Sequence, residues 1–559
     1  MDFSECYGDS VSRVAAAARR GCRRRLRRLI RGGLGVEGRD NRGWTALHEA
    51  AAAGREGCVR ELVSAAGAGS SPSRGAFVNS LTHEGESACY LAAQRGHVAA
   101  LRLLLRAHAD VDQLTNDSSC PLYAAVGAGH REVVELLVGA GAEVDRTHTA
   151  SCWSCLHQAV HQGHKEIVRI LVGVCNLEAV DDHHISPLFV AAQYGQRECL
   201  EILVDAGADV SARAADLATP LLIASQEGHA ACVDLLLARG ADPDAACSLE
   251  WPQLPIHAAA EFGHIGVLRR LIAVTDRACD RGAGAVSPLY VAVHRRQSRS
   301  VELLLSEGYS ADAQDCSLLL GVRSPLSLAL SASSGACRET VGLLVAAGAR
   351  LSEEDWMNAV ATDTPELLQL ILEHRPIPRR EAAAAPVPSR RGETSLELRE
   401  LRELLCVALS QVHAAARWLP VLLKAGLDPP LLLQPHMMQQ ADGEVLNYLL
   451  EFVNWSNLSP PLRRILDRRR AEKTWEPGPH LDSIPPLSHL CRLQVRSVLG
   501  PDLLMRTDVV RRLPVPTPLH VFLQFGDIPE ASCTRSPPSS PLSDRIQRYQ
   551  RTHLHRHVL

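Results

Sequence analysis

Residues 186–195 read SPLFVAAQYG, and variants of this segment return along the chain about every 33 residues. Each variant opens with a four-letter head, and the second letters of the nine heads lie at residues 46, 88, 121, 155, 187, 220, 255, 288 and 325. Most heads are followed by paired alanines, a glycine, paired leucines and a Gly-Ala turn. A period of this length indicates a solenoid of small units that bury their apolar faces only against each other.

The residue types within one period predict a helix-turn-helix unit. Serine or threonine followed by proline is typical of a helix start, because the hydroxyl caps the first turn and proline suits its first position. Glycines such as Gly195 and Gly228 end this helix where φ must be positive, and a second helix with paired leucines packs behind it. Histidines follow five such glycines, so we assign them to the repeat's own hydrogen bonding; they are His97, His130, His164, His229 and His264.

This pattern resembles the ankyrin repeat over roughly residues 11–350. The resemblance implies an all-α ankyrin-repeat solenoid, in which helix-turn-helix repeats carry short β-hairpin fingers. We predict an N-terminal capping repeat at residues 1–40 and about nine repeats at residues 41–350. Degenerate helical repeats are expected at residues 351–480, around a Pro/Ala/Arg linker near residues 375–394.

The bulk composition disfavours several classes of protein. A formal net charge of -4 over 559 residues argues against a nucleic-acid partner. The chain has no 18-residue uncharged apolar run and begins with MDFSECYGDS, so we expect no membrane insertion and a cytoplasmic location. The arginine run at residues 23–28 leaves nuclear import open beside a solvated cap face. The 17 cysteines are scattered among predicted helices, where reduced thiols serve as small apolar residues.

A second motif occupies residues 486–523 near the C-terminus. The segment PLSHLCRLQVRS, residues 486–497, predicts an amphipathic helix whose apolar residues share one face. A stiff proline bracket follows in LPVP at residues 513–516, and Leu519, Phe522 and Leu523 form a last apolar helical face. An ordinary amphipathic helix followed by a proline loop is the alternative interpretation.

Both halves in this order resemble a SOCS box, which we place at residues 481–526, before a disordered tail at residues 527–559. The resemblance implies that the helix binds elongin C, which is bound to elongin B. It also implies that the Leu-Pro-Val-Pro segment binds cullin-5 with its RING-box subunit. The implied elongin-binding residues are Leu487, Leu490, Cys491 and Val495, and the implied cullin-binding residues are Leu513, Pro514, Val515 and Pro516.

An ankyrin array followed by a SOCS box is the architecture of the ankyrin repeat and SOCS box family. That resemblance implies a substrate-recognition subunit of an E3 ubiquitin ligase, which holds a target protein for ubiquitination and proteasomal degradation. We expect no catalytic residue, no cofactor and no metal in this chain. Two alternatives stay open: a scaffold that binds elongins without a degradation target, and a thiol or zinc enzyme that uses Cys152 and Cys155.

Three tryptophans are candidates for binding the target. Trp44, Trp153 and Trp251 each lie just before a repeat head, and aromatic side chains frequently anchor interfaces. The alternative is that the indoles pack between adjacent fingers.

Overall fold

The computed structural model describes residues 12–66, 71–148, 151–247, 253–276, 287–312, 324–331, 338–361, 365–377, 396–478, 481, 485–499 and 517–523. The chain divides into two compact units, Met1–Tyr309 and Ser310–Leu559. The predicted tail at residues 527–559 and residues 378–394 of the predicted linker lie outside the described residues.

The first unit is a series of helix pairs. The first helices of the pairs are Arg13–Arg19, Ala46–Ala52, Ala88–Gln94, Pro121–Gly127, Cys155–His161, Pro187–Gln193, Pro220–Glu227, Pro255–Phe262 and Pro288–His294. The second helices are Arg23–Arg31, Glu56–Ala66, Val98–Arg106, Arg131–Gly139, Lys165–Leu171, Arg197–Asp205, Ala230–Ala238, Ile265–Ile272 and Ser298–Ser306. The insertion after the second pair contains an additional helix, Ser71–Val78. The predicted all-α repeat fold is therefore confirmed.

The head residues start the first helices as their chemistry predicts. The hydroxyl of Ser186 accepts a hydrogen bond from the backbone N–H of Phe189 at 3.3 Å, and Pro187 is the first helical residue. Thr219 caps the next repeat through the N–H of Leu222 at 3.2 Å. The alanines that follow are buried, which lets neighbouring first helices approach closely.

A glycine in the left-handed conformation follows eight of the nine first helices of the first unit, and Arg296 takes this position after the ninth. Gly195 has φ +67°, and a Cβ there would lie 2.6 Å from Nδ1 of His229. Nε2 of His229 donates to the carbonyl oxygen of Gln193 at 3.0 Å. The same bridge to the preceding repeat is made by His97, His130 and His264. The assignment of these four histidines to the hydrogen bonding of the repeat is confirmed.

Buried histidines in the heads make a second link between repeats. The backbone N–H of Thr45 donates to Nδ1 of His48 at 3.0 Å, so Nε2 carries the proton that it donates to the carbonyl of Ser80 at 2.9 Å. His157 repeats this arrangement with Ser154 and Ile185. Burial lowers the pKa of His48 to about 4, which keeps the imidazole neutral near pH 7.

The fingers between helix pairs are held by few but regular backbone contacts. Their β pairing, in the parts of the chain that the structure describes, consists of isolated antiparallel bridges at Leu81–Ser87, His148–Trp153 and Cys247–Gln253. Adjacent fingers are also joined directly, as by the N–H of Ala215, which donates to the carbonyl of His183 at 2.9 Å. The fingers therefore keep a constant register with their neighbours.

The second unit begins with one more head-containing pair and continues with helices of less regular spacing. Its α-helices within the described residues are Pro325–Ser331, Arg338–Ala346, Glu353–Ala361, Pro365–His374, Leu398–Ser410, Ala415–Lys424, Pro435–Gln440, Gly443–Leu450, Pro460–Ala471, Leu487–Leu499 and Thr517–Leu523. Short 3₁₀ turns lie at Val412–Ala414, Pro429–Leu431 and Trp455–Asn457.

A buried ion pair connects the two sides of the predicted linker. Nη2 of Arg375 lies 2.7 Å from Oε2 of Glu400, and both side chains are buried. Arg375 also donates to the carbonyl of Ala349 at 2.9 Å, and Glu400 accepts from the N–H of Leu351 at 3.3 Å. These bonds pair the two charges inside the protein, a condition that a buried pair needs to be tolerated, while Nε of Arg375 is buried without a hydrogen-bond partner.

Among the described helices, none is by itself long and apolar enough to cross a membrane. Leu398–Ser410 and Val412–Lys424 meet the length and composition only when counted together, and they are bent by 84° at their junction.

We predict that Gly195→Ala destabilises the first unit more than Gly207→Ala does. Both glycines have positive φ, so each alanine costs about 1–2 kcal/mol of conformational strain. Only at Gly195 does the new methyl group collide with a neighbouring repeat, since no atom lies within 4 Å of a Cβ built at Gly207. Thermal unfolding of both variants measures the difference, and equal melting temperatures would contradict the role given to the glycine–histidine contact.

Candidate functional site

The C-terminal helix Leu487–Leu499 begins directly after two prolines. The carbonyl of Pro486 accepts hydrogen bonds from the N–H groups of His489 at 2.9 Å and Leu490 at 3.2 Å. Proline is suited to this boundary because the helix start needs no donor from it. Both prolines precede the first helical residue, Leu487.

Polar residues hold the inner face of this helix against the rest of the second unit. His489 is 3% exposed, and its Nε2 donates to the carbonyl of Val453 at 3.2 Å. The imidazole ring lies 4.9 Å from the ring of Trp455. Arg492 is also buried, with Nη2 3.5 Å from Nδ1 of His489. Sequence reasoning missed this pair, although a spacing of three residues between polar side chains signals a shared helical face.

Apolar residues occupy the outer face. Leu487 is 76% exposed, Val495 is 41% exposed and Cys491 is also exposed. They follow each other at intervals of four residues and form what we call the exposed apolar row, Leu487, Cys491 and Val495. Leu490 is half-buried and belongs to the flank of the helix. A helix that buries histidine and arginine while exposing leucine and valine inverts the usual pattern, which indicates a protein-docking surface.

The last described helix, Thr517–Leu523, packs against the helix that carries the exposed apolar row. Its Leu523 and His520 are buried, whereas Leu519 is 45% exposed. The predicted cullin-binding residues Leu513, Pro514, Val515 and Pro516 lie outside the described residues.

The first two predicted target-binding tryptophans are half-buried in their fingers, and Trp251 lies outside the described residues. The guanidinium carbon of Arg42 lies 4.3 Å from the ring centroid of Trp44. Nε1 of Trp153 donates to Oδ2 of Asp181, in the next finger, at 3.3 Å. Each indole therefore has a contact within the array, while part of its ring stays accessible.

Trp153 also belongs to a row of rings that crosses into the next repeat. Its ring lies 5.3 Å from that of His161, which lies 4.5 Å from that of Tyr194. Tyr194 is 47% exposed and Phe262 is 48% exposed, and each directly precedes a turn glycine. Sequence reasoning missed these two aromatics. The available signal was a large ring at a repeat position that holds alanine, arginine, glutamine or glutamate in other repeats.

The two cysteines of the Cys-x-x-Cys segment lie in different surroundings. Cys152 is exposed, whereas Cys155 is buried with its sulfur 3.9 Å from Nε2 of His148. The nearby His157 is used by the helix cap described above. The enzyme alternative required Cys152 and Cys155 to act together, and this arrangement does not support it.

Family models match most of the chain. Ankyrin repeat models cover residues 42–72, 70–148, 144–214 and 221–315, and a SOCS box model covers residues 483–524. The exposed apolar row therefore lies within the SOCS box match.

Known proteins resemble almost the full length. Human ankyrin repeat and SOCS box protein 3 is 38% identical over 531 residues, which are 94% of this chain and 97% of the relative. The bovine protein of the same name is 38% identical over 529 residues, or 94% and 96% of the two chains. The crystal structure of the human ASB11 ankyrin repeat domain covers 47% of this chain and 97% of its own, with 24% identity and a TM-score of 0.33. Segments such as DNRGW at residues 40–44 and HLCRLQVRS at residues 489–497 predict the likeness to protein 3, which these comparisons confirm.

We predict that Trp153→Ala lowers the melting temperature of the array, whereas Tyr194→Ala leaves it nearly unchanged. The tryptophan change removes the bond to Asp181 and a half-buried ring, about 1–3 kcal/mol. The tyrosine is about half exposed, so its loss leaves a smaller gap. Thermal unfolding of the two variants is the measurement. An unchanged melting temperature for Trp153→Ala would instead favour a purely binding role for this indole.

Proposed function

Because this chain belongs to the ankyrin repeat and SOCS box protein family, we propose that it is the substrate-recognition subunit of an elongin B/C–cullin-5–RING E3 ubiquitin ligase. In this proposal the ankyrin array binds a target protein and the SOCS box binds the ligase. The chain itself performs no chemistry. It raises the local concentration of the target near the subunits that transfer ubiquitin.

The exposed apolar row is the observation that carries this proposal. Full burial of a leucine side chain contributes roughly 1.5–3 kcal/mol of favourable free energy. Because Leu487 is 76% exposed in the free chain, most of this free energy can still be gained when a partner binds. The opposite face is already held by His489 and Arg492. The helix is therefore preorganised, and binding to elongin C requires little ordering of its backbone.

The target is proposed to bind across fingers and first helices of the array. The ring contacts from Trp153 through His161 to Tyr194 provide an accessible apolar surface that spans two repeats. Aromatic side chains held by neighbours make good anchors because they lose little freedom on binding. This row of rings favours a protein as the target.

Cullin-5 is proposed to bind through Leu513, Pro514, Val515 and Pro516, on the resemblance of these residues to the corresponding SOCS box segment. A cytoplasmic location is part of the same proposal. If the chain bound elongins but not cullin-5, the scaffold alternative would replace the ligase function.

We predict that Leu487→Ala combined with Cys491→Phe abolishes elongin B/C binding and leaves the chain folded. The first change removes a docking side chain, and the second adds a ring where a small thiol fits. A loss of about 2 kcal/mol or more corresponds to at least a ~30-fold weaker Kd. Because both residues are exposed in the free chain, its melting temperature should change little.

Leu398→Ala is the matched control for this experiment. Leu398 is 81% exposed on another helix of the same unit, outside the SOCS box match. Calorimetric titration with elongin B/C should give the wild-type affinity for this control. Undiminished binding by the Leu487/Cys491 double variant would refute the assigned docking face.

We predict that Leu513→Ala with Pro514→Ala retains elongin binding and weakens cullin-5 binding. Loss of the proline adds an ordering cost on docking, and both alanines remove contact surface. Titration of cullin-5 and its RING-box subunit into preformed complexes with elongin B/C separates the two steps. A parallel loss of elongin binding would contradict the division of the box into two sites.

A further inference from the structure

Two cysteines in consecutive repeats replace residues that the other repeats use. Cys120 stands at the cap position held by Ser87, Ser154 and Ser186, and its sulfur accepts from the N–H of Tyr123 at 3.3 Å. A serine makes the same cap, so the helix start does not require a thiol. Cys155 stands at the next head position, where Ala46, Ala88 and Pro187 occur in other repeats.

The stacking of the repeats brings these cysteines together around a histidine from the finger between them. Nε2 of His148 lies 3.5 Å from the sulfur of Cys120 and 3.9 Å from the sulfur of Cys155. The three donor atoms all lie within 4.8 Å of one another. Cys120 and Cys155 are fully buried, and His148 is 1% exposed. Within the part of the chain that the structure describes, these are the only three such side chains grouped this closely.

The imidazole is oriented as a ligand. Nδ1 of His148 donates to the carbonyl of Ser118 at 2.9 Å, so Nε2 is the nitrogen that faces the two sulfurs. Histidines that bind metals usually donate their other ring N–H to a carbonyl or carboxylate, which sets the tautomer and ring direction. The Ser118 carbonyl performs this role here.

The spacing agrees with a tetrahedral metal ion. Zinc–sulfur bonds of about 2.3 Å and zinc–nitrogen bonds of about 2.0 Å place sulfur and nitrogen about 3.5 Å apart at the tetrahedral angle. The observed separations are 3.5 and 3.9 Å.

We propose that Cys120, Cys155 and Nε2 of His148 bind one zinc ion, with a water molecule as the fourth ligand. Binding displaces one proton from each thiol, so one Zn²⁺ is bound and two protons are released. Two thiolates and a neutral imidazole balance the +2 charge of zinc, which a buried site favours. A monovalent copper ion on the same ligands would leave a buried negative charge.

The ion would connect the finger that carries His148 to the first helices before and after it, of which one is capped by Cys120 and the other starts at Cys155. The backbone N–H of His148 donates to the carbonyl of Trp153 at 2.7 Å. The same finger therefore carries Trp153, the first of the aromatic rings that continue through His161 to Tyr194. The zinc site would therefore be structural, and it would hold one part of the surface proposed to meet the target. The metal proposal itself rests on the three ligands alone and does not depend on the proposed function.

The test is zinc content of the full chain, purified without a metal-affinity tag and dialysed against buffer that holds trace zinc. Cys120→Ser with Cys155→Ala is the decisive variant, since both new residues already occur at these positions in other repeats, as in Ser87 and Ala88. Cys89→Ala, which changes a buried cysteine in the preceding head, is the matched control. Circular dichroism confirms that all three proteins are equally helical.

We expect about one zinc per wild-type chain and per Cys89→Ala chain, and only background zinc in the double variant. A chelator should lower the melting temperature of the wild type and leave that of the double variant unchanged. Equal zinc in the wild type and the double variant would overturn the proposal. So would a zinc-free wild type, or a Cys120–Cys155 disulfide found by peptide mass analysis.

Discussion

The close approach of consecutive repeats at the turn glycines is the contact on which the array depends. At Gly195 and Gly228, the ring of the next repeat's histidine fills the space where a Cβ would lie. The same ring bonds back to a carbonyl of the first helix. Any side chain at the glycine would push the two repeats apart, and it would also strain the backbone. Since each repeat buries its apolar face only against neighbours, the stability of the array is a sum over such interfaces.

Hydrogen bonds that involve the fingers hold the surface of this stack in one conformation. The buried histidines at residues 48 and 157 connect each head to the finger that follows, and the backbones of adjacent fingers are joined by hydrogen bonds. Side chains carried by the fingers are therefore held by their neighbours before any partner binds. A recognition surface gains affinity from this arrangement because fewer groups have to be ordered on binding. The buried Cys120–His148–Cys155 cluster acts on the same finger that carries Trp153.

In the C-terminal helix the usual burial pattern is reversed, with polar residues on the buried face and apolar residues on the exposed face. Its buried polar contacts are made by His489, which donates to the carbonyl of Val453, and by Arg492, whose Nη2 lies 3.5 Å from Nδ1 of His489. Its exposed apolar row offers leucine, cysteine and valine to a partner. Polar anchoring keeps the helix in place without using the apolar surface that docking needs. The helix can thus be folded and available at the same time.

Local residue chemistry was enough to predict the repeat fold, the helix caps and the family. Ser186 and Pro187 define the start of one short helix, and Gly195 defines its end. The repetition of such residues at a constant period identifies the architecture. The apolar residues of the C-terminal helix were likewise visible as a spacing of four. Only the tertiary structure decided which face of that helix is buried, because His489 meets Val453 and Trp455 from a separate part of the chain. The tertiary structure also decided that Cys155 lies beside Cys120 and His148 and not beside Cys152. Stacking brings together residues that are one repeat apart in the sequence, and a local sequence pattern contains no information about such contacts.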